Sequence, residues 1–243
     1  MPESNTWLTE KGHSLIETFL ADSDEFIVER ARALELMINI FKWNSPNAEG
    51  LSVLDLGCGD GRLSRIIAER FPRHTYHLLD GSAVMFEKAK ETMRGFNAVF
   101  LEKTFERFIA EEPVDQRYDF VFSSMAIHHL DFFDKQRLYE RIYQELKFGG
   151  LFLNYDAVLP VSERAEKWYF EMWRNWMNER FERKGEKEKM GKFDSLPESA
   201  KGKAENKYSR MADHLRALEA CGYRDVDCHY KYGIFCLYGG TKT

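Results

Sequence analysis

Three glycines at alternate positions close the run Val53-Leu54-Asp55-Leu56-Gly57-Cys58-Gly59-Asp60-Gly61, and a helix-like segment, Arg62-Leu63-Ser64-Arg65-Ile66-Ile67-Ala68, follows at once. Glycine adopts backbone angles that other residues resist, and without a Cβ it lets a ligand lie against the main chain. At the end of an apolar strand this arrangement reads as a nucleotide-like cofactor site. A dinucleotide fingerprint needs Gly-x-Gly-x-x-Gly, so that pyrophosphate meets the free N–H groups of a helix start. Arg62 stands where that pattern needs its last glycine. The nicotinamide reading is weakened, and a nucleoside without phosphates is favoured.

Asp80 is the second residue with chemistry to offer. It ends the apolar run Tyr76-His77-Leu78-Leu79, which places it at the carboxyl edge of the strand beside the glycine turn. A carboxylate there accepts hydrogen bonds from both hydroxyls of a ribose, and its spacing of about twenty residues from Gly59 is that of one strand-helix-strand unit. A plain turn aspartate before Gly81 is the alternative; the neighbouring glycine turn favours the ribose role.

The elements that must hold these residues alternate along the chain. Residues 6–42 read as helical, with apolar stripes at Leu15, Ile16, Phe19 and Leu20 and then at Ile27, Ala31, Leu34, Ile38 and Phe41. After Asn44-Ser45-Pro46-Asn47, strands are expected at Leu51–Leu56, Tyr76–Leu79, Val99–Leu101, Tyr118–Phe122 and Leu151–Tyr155. Helices are expected at Arg62–Arg70, at Ala83–Met93 with Ser82 as N-cap, and at Lys135–Leu146 ending at Gly149-Gly150. A helix at Ala212–Ala220 and an edge hairpin of Arg224–Tyr230 and Gly233–Tyr238 complete the pattern. Such repetition implies a doubly wound, mostly parallel α/β sheet of Rossmann-like type, here seven-stranded with an antiparallel edge strand. The expected organisation is an N-terminal helical cover over 1–46 and one domain over 47–243, interrupted by an insertion at 161–210.

Composition bounds the function. A chain of 243 residues with 44% hydrophobic residues is globular, and a formal charge of −5 argues against a general nucleic-acid binder. Met1-Pro2-Glu3-Ser4-Asn5 lacks the start of a secretory signal, and no apolar run reaches membrane-span length; a cytoplasmic protein is expected. Cys221, Cys228 and His229 could be imagined as metal ligands, but buried reduced thiols near a sheet are the commoner arrangement, so no metal is expected.

Taken together, Val-Leu-Asp-Leu-Gly-Cys-Gly-Asp-Gly, then Leu-Leu-Asp-Gly-Ser with Met85 and Ala89, resemble the class I S-adenosylmethionine-dependent methyltransferases of small-molecule type. Tyr118 to Leu130 is similar to that family's fourth-strand block, and Leu146-Lys147-Phe148-Gly149-Gly150 to its Leu-Lys-Pro-Gly-Gly turn, with Phe148 in the proline's place. The resemblance covers roughly residues 50–155, with a weaker match at 211–240. It implies that S-adenosyl-L-methionine binds and leaves as S-adenosyl-L-homocysteine. Gly57, Cys58 and Gly59 would pass under its amino-acid half, Asp55 would orient the loop or reach the ammonium, and Asp80, with Gly81 beside it, would hold the ribose. Met85 would pack on adenine. The family's acidic adenine contact falls at Thr104, followed by Phe105; the departure leaves that contact open. Ser124 and Met125 would face the sulfonium, and Arg30 would either pair with the cofactor carboxylate or stay solvated.

Methyl transfer from a sulfonium needs alignment first, and a base only if the acceptor must lose a proton. The candidates are His128 and His129, which could instead pack the loop, and Tyr155 and Asp156 after the fifth strand. The acceptor is expected to be a small, apolar or aromatic molecule methylated at O, N or S. Tyr169, Trp173 and Trp176 form one helical stripe in the insertion, either a lid over the acceptor or a packing or dimer surface. The run Arg180 to Lys192 holds six basic residues and three acids, a solvated face or an RNA contact. A transfer-RNA-modifying enzyme and a non-catalytic cofactor- or partner-binding module are the alternatives; the protein is expected as a monomer or homodimer with no membrane partner.

Overall fold

A computed structural model describes residues 23, 25–113 and 117–243. The expected helix over 6–42 falls partly outside these; its later half is α1 (Arg30–Asn44). There follow β1 (Ser52–Leu56), α2 (Arg62–Arg70), β2 (Thr75–Asp80), α3 (Ala83–Thr92), β3 (Ala98–Glu102), α4 (Phe105–Ala110), β4 (Tyr118–Ser124) and a short 3-10 turn at Ile127–His129. Next come α5 (Phe132–Glu145), β5 (Leu146–Ala157), α6 (Glu163–Lys184), α7 (Leu196–Gly202), α8 (Met211–Cys221), β6 (Arg224–Tyr232) and β7 (Phe235–Thr241). The sheet order is β3-β2-β1-β4-β5-β7-β6, with the first five strands parallel and β7 antiparallel to both neighbours. The α/β architecture is borne out. The terminal hairpin closes the edge with β7 one position inside it and β6 outermost.

Strand parity divides the core in two. Val53, Phe120, Phe122, Leu153 and Tyr155 pack in one cluster with α1, α2 and α6, whereas Leu54, Val121 and Phe152 pack in the other with α5 and α8. Both faces of the parallel strands are therefore covered, as their near-continuous apolar runs require. α1 buries Ala33, Leu34, Met37, Ile38 and Phe41. Ala31, expected on that stripe, is exposed, because Glu29 takes a left-handed conformation and the helix starts a new register at Arg30. The expected helix stop at Gly149-Gly150 is corrected as well: α5 ends at Glu145, and both glycines lie inside β5. A Cβ on Gly150 would lie 2.8 Å from the Lys147 carbonyl oxygen, and the β4–β5 register slips at this point. These glycines serve a strand irregularity. Among the described residues no helix is long and apolar enough to cross a membrane.

Candidate functional site

β1 and β2 deliver Gly57 and Asp80 side by side at the carboxyl edge of the sheet, where β1 pairs with β2 on one side and β4 on the other. Gly57, Gly59 and Gly61 have φ of 73°, 55° and 75°. Their reasons differ. A Cβ on Gly57 would sit 2.4 Å from the Ala126 Cβ, and one on Gly61 would sit 3.2 Å from the Ala89 Cα; both glycines permit close packing of the turn. A Cβ on Gly59 would meet nothing within 4 Å, so its face is left open to a cavity. The Leu79 carbonyl accepts from the amides of Gly57 (2.8 Å) and Cys58 (3.0 Å), fastening the turn to the end of β2.

Asp80 accepts from the Gly59 amide at 2.9 Å through Oδ2 and from the Ser82 amide at 2.8 Å through Oδ1. A carboxylate has about four acceptor sites, so these amides leave room for a ligand hydroxyl. Burial raises its pKa, opposed by the amides of Ser82, Gly59 and Gly81. Asp55 lies beneath the turn and accepts from the Ser64 hydroxyl at 2.7 Å. Burial pushes its carboxyl up to about 7, against the Ser64 bond; the Asp80 and Asp60 charges add to the rise and Arg30 opposes it.

The cavity has a volume of about 400 Å³, and every residue expected on the cofactor side, from Arg30 to Met125, lines it. Met85 follows the Ser82 N-cap of α3. The Thr104 hydroxyl is engaged as the N-cap of α4, accepting from the Arg107 amide at 3.3 Å. Arg30 donates through Nη1 to the Ser23 hydroxyl at 3.2 Å. Ser124 presents a buried hydroxyl oxygen with no hydrogen-bond partner among the described residues. Met125 has a φ of 54° and donates its amide to the Tyr155 carbonyl at 2.9 Å. A side chain held in that backbone region beside a cavity is a constraint of the kind found at ligand sites.

The four base candidates divide between the turn after β4 and the end of β5. His128 and His129 line the cavity; Tyr155 and Asp156 do not. Tyr155 faces the α1 side, where its hydroxyl donates to the Val28 carbonyl and burial raises its pKa, so it ties β5 to the segment before α1. Asp156 points to the opposite face and takes hold of His128, accepting from its backbone amide at 2.9 Å and from ring Nδ1 at 2.5 Å. Burial works against the Asp156 charge, but His128 and the Ala157 amide outweigh it and hold the carboxyl below its usual range. A carboxylate only accepts, so His128 carries its proton on Nδ1 and keeps the Nε2 lone pair in its neutral form. His129 bonds through Nδ1 to the Glu205 carbonyl at 3.1 Å. Burial, with His128 adding, drives its pKa down to about 3.

The other wall of the cavity comprises Phe26, Ile27, Trp173, Phe193, Leu196 and Phe235, with Lys203, Asn206 and Tyr208 also lining it. Of these, residue spacing pointed only to Trp173 as a wall. Within the 161–210 stripe, Trp173 lines the cavity and donates Nε1 to the Phe26 carbonyl at 2.8 Å. Trp176 donates to the Glu29 carboxylate at 2.8 Å, and Tyr169 lies beneath the Lys231 ammonium. One stripe thus closes the cavity and packs the segment.

Residues 53–150 match a family described as a methyltransferase domain. A malonyl-[acyl-carrier protein] O-methyltransferase of Ilyobacter polytropus is 33% identical over 122 residues, 50% of this chain and 41% of that protein. A trans-aconitate 2-methyltransferase of Deinococcus radiodurans is 32% identical over 106 residues, covering 44% of this chain and 38% of that protein. The chain therefore spans less than half the length of these curated relatives. Among solved structures, human N-acetylserotonin methyltransferase in complex with SAM superposes with a TM-score of 0.56 at 17% identity, covering 94% of this chain and 54% of that one. A chain of the complex between the Haloferax volcanii Trm112 methyltransferase activator and a methyltransferase gives 0.63 at 18% identity, covering 97% of both chains. With the glycine turn, the Asp80 edge and the strand order in agreement, residues 53–150 form a methyltransferase domain on a Rossmann-like sheet.

Proposed function

We propose that the chain transfers the methyl group of S-adenosylmethionine to a small, largely apolar acceptor whose nucleophilic atom gives its proton to His128. The observation that carries this reading is the Asp156–His128 pair, whose ring lies on the cavity that also holds the glycine turn and Asp80. The residues fit the cofactor on their own geometry. Gly59 leaves room for a ligand against the backbone, Asp80 keeps acceptor room for a ligand hydroxyl, and the buried Ser124 oxygen lacks a partner among the described residues. When bound, the cofactor supplies a methyl group already activated by its sulfonium.

The chain's own residues then have three tasks. Asp80 would hold the ribose and the glycine turn would pass under the amino-acid half, with Met85 against the base. Phe26, Trp173, Phe193 and Leu196 exclude water and align an apolar acceptor, and alignment supplies much of the acceleration in a displacement of this kind. His128 takes the acceptor's proton at Nε2 while Asp156 fixes the ring and balances the charge it gains. His129, with its pKa near 3, is too weak a base for this role.

A base also favours some acceptors over others. Carboxylates such as trans-aconitate are already ionised at neutral pH and need none, whereas hydroxyls, thiols and ammonium groups do. The basic run of the 161–210 segment does not favour RNA: Arg180 and Lys184 both pair with Glu25, and Lys189 with Glu186. The test is S-adenosylhomocysteine formation over a panel of phenols, thiols, amines and carboxylates. Turnover of an apolar hydroxyl, thiol or amine that collapses in His128→Gln is expected. Turnover restricted to carboxylates, or insensitive to His128, contradicts the reading.

A further inference from the structure

Behind the site lies a buried cation, Lys135, to which the proposed chemistry assigns no proton transfer. Lys135, in the first turn of α5, is 1% exposed. Its ammonium donates to the Lys207 carbonyl and, at 3.0 Å, to the Ser209 hydroxyl. Burial lowers its pKa to about 8, with the Asp156 and Asp131 charges opposing and Lys207 adding to the fall. Burying an ammonium is costly, and an apolar side chain of similar volume would avoid the cost. What Lys135 gains is a grip on a stretch of chain without regular structure.

That stretch, residues 203–209, returns from α7 to the sheet along the cavity. It is fastened to the site at successive points. The Glu205 carbonyl accepts from His129 Nδ1 at 3.1 Å, the Lys207 amide donates to the His128 carbonyl at 2.8 Å, and the Ser209 carbonyl accepts from the Leu159 amide at 2.8 Å. Between these ties, Tyr208 sets its ring 5.5 Å from that of His128, and Lys203, Glu205, Asn206 and Tyr208 line the cavity. Lys135 is the charged tie in this set, and it grips at both 207 and 209, on either side of Tyr208.

We propose that Lys135 is a positioning residue that pins the 203–209 segment against the sheet, so that Tyr208 stays over His128 and the acceptor side of the cavity keeps its wall. Lys135 is not among the residues that line the cavity and acts through the segment it holds, while its charge also favours the ionised Asp156. The role does not depend on which acceptor is used; the segment would be pinned in a non-catalytic binding protein as well.

The test uses the full chain and hydrogen–deuterium exchange read by mass spectrometry, with S-adenosylmethionine affinity measured in parallel. Hydrogen bonds to charged groups are among the stronger ones, so Lys135→Met is expected to speed exchange of the amides in 203–209 by about tenfold or more. Protection of β1, β2 and β4 and the affinity for S-adenosylmethionine should stay within about twofold, because the segment lies on the acceptor side. Lys135→Arg, which keeps a charged donor, should restore most of the protection. Ser209→Ala removes a single acceptor and should speed exchange of the same peptide by about threefold, in a background that does not depend on Lys135→Met folding. Unchanged protection of 203–209 in both Lys135→Met and Ser209→Ala overturns the proposal. So does loss of protection spread evenly over the whole sheet, or a Lys135→Arg variant no better than Lys135→Met. A chain that shows all the expected exchange changes but binds no S-adenosylmethionine would leave this role standing and remove the methyltransferase reading instead.

Discussion

The Asp156 carboxylate grips His128 at two atoms, the backbone amide at 2.9 Å and ring Nδ1 at 2.5 Å, across 28 residues of sequence. The first contact fixes the loop after β4 and the second fixes the ring. A single carboxylate at the end of β5 thereby sets both the place and the tautomer of the proposed base.

If that pair performs the proton transfer, His128→Gln should lower kcat by about 10²–10⁴-fold while leaving S-adenosylmethionine affinity unchanged. Asp156→Asn should also lower kcat, through a misoriented ring, with affinity again intact. Steady-state kinetics beside calorimetric titration check this, and a His128→Gln enzyme of normal kcat would contradict it.

The same carboxylate makes a stability prediction. Asp156 is held below its usual range in the folded chain, so the stability it contributes is present above the unfolded value of about 3.9 and is lost as pH falls through the lower folded value. Thermal denaturation of the wild type should weaken more steeply below about pH 4 than that of Asp156→Asn. Parallel curves in that range would contradict the assignment.

Asp55 has the opposite sign. Its folded value of about 7 lies above the unfolded one, so the native state keeps a proton that the unfolded chain sheds. Its contribution is fully present below about pH 4 and is lost as pH rises through the folded value. Asp55→Asn keeps an acceptor for Ser64 and should flatten that decline; melting curves between pH 5 and 8 decide the matter.

The glycine turn offers a test that separates packing from ligand room. Gly57→Ala should cost about 2–4 kcal/mol of stability, because its Cβ would lie 2.4 Å from the Ala126 Cβ at a positive φ. Gly59→Ala meets no protein atom within 4 Å and should cost only about 1–2 kcal/mol from its φ of 55°. It should nevertheless weaken S-adenosylmethionine binding by about tenfold or more, since the methyl group would stand in the ligand's space. Unchanged affinity in Gly59→Ala would move the cofactor away from the turn.

Much of this was legible in the chain because the signals are local. The turn at 57–61, the N-cap at Ser82, the helix at Arg62–Arg70 and the placing of Asp80 at a strand end each depend on residues a few positions apart. Gly149 and Gly150 misled for the same reason: two glycines after a helical pattern look like a stop, and only the partner strand reveals the irregularity they serve. The pairing of His128 with Asp156 and the separation of Tyr155 from both follow from which face of β5 each residue occupies. Alternation along that strand supplied the signal, but not which face meets the cavity. The walls contributed by Phe193, Leu196 and Tyr208 depend on how 161–210 folds back, which periodicity does not encode.

The Gly57–Gly61 turn and Asp80 are together the proposed seat of S-adenosylmethionine. The decisive measurement is calorimetric titration of the full chain with S-adenosylmethionine, S-adenosylhomocysteine and NAD, repeated on Asp80→Ala. Saturable binding of both adenosyl compounds, weakened by about tenfold or more in Asp80→Ala, with no binding of NAD, is the predicted result. Saturable NAD binding without S-adenosylmethionine binding, or an Asp80→Ala variant with unchanged affinity, would contradict it.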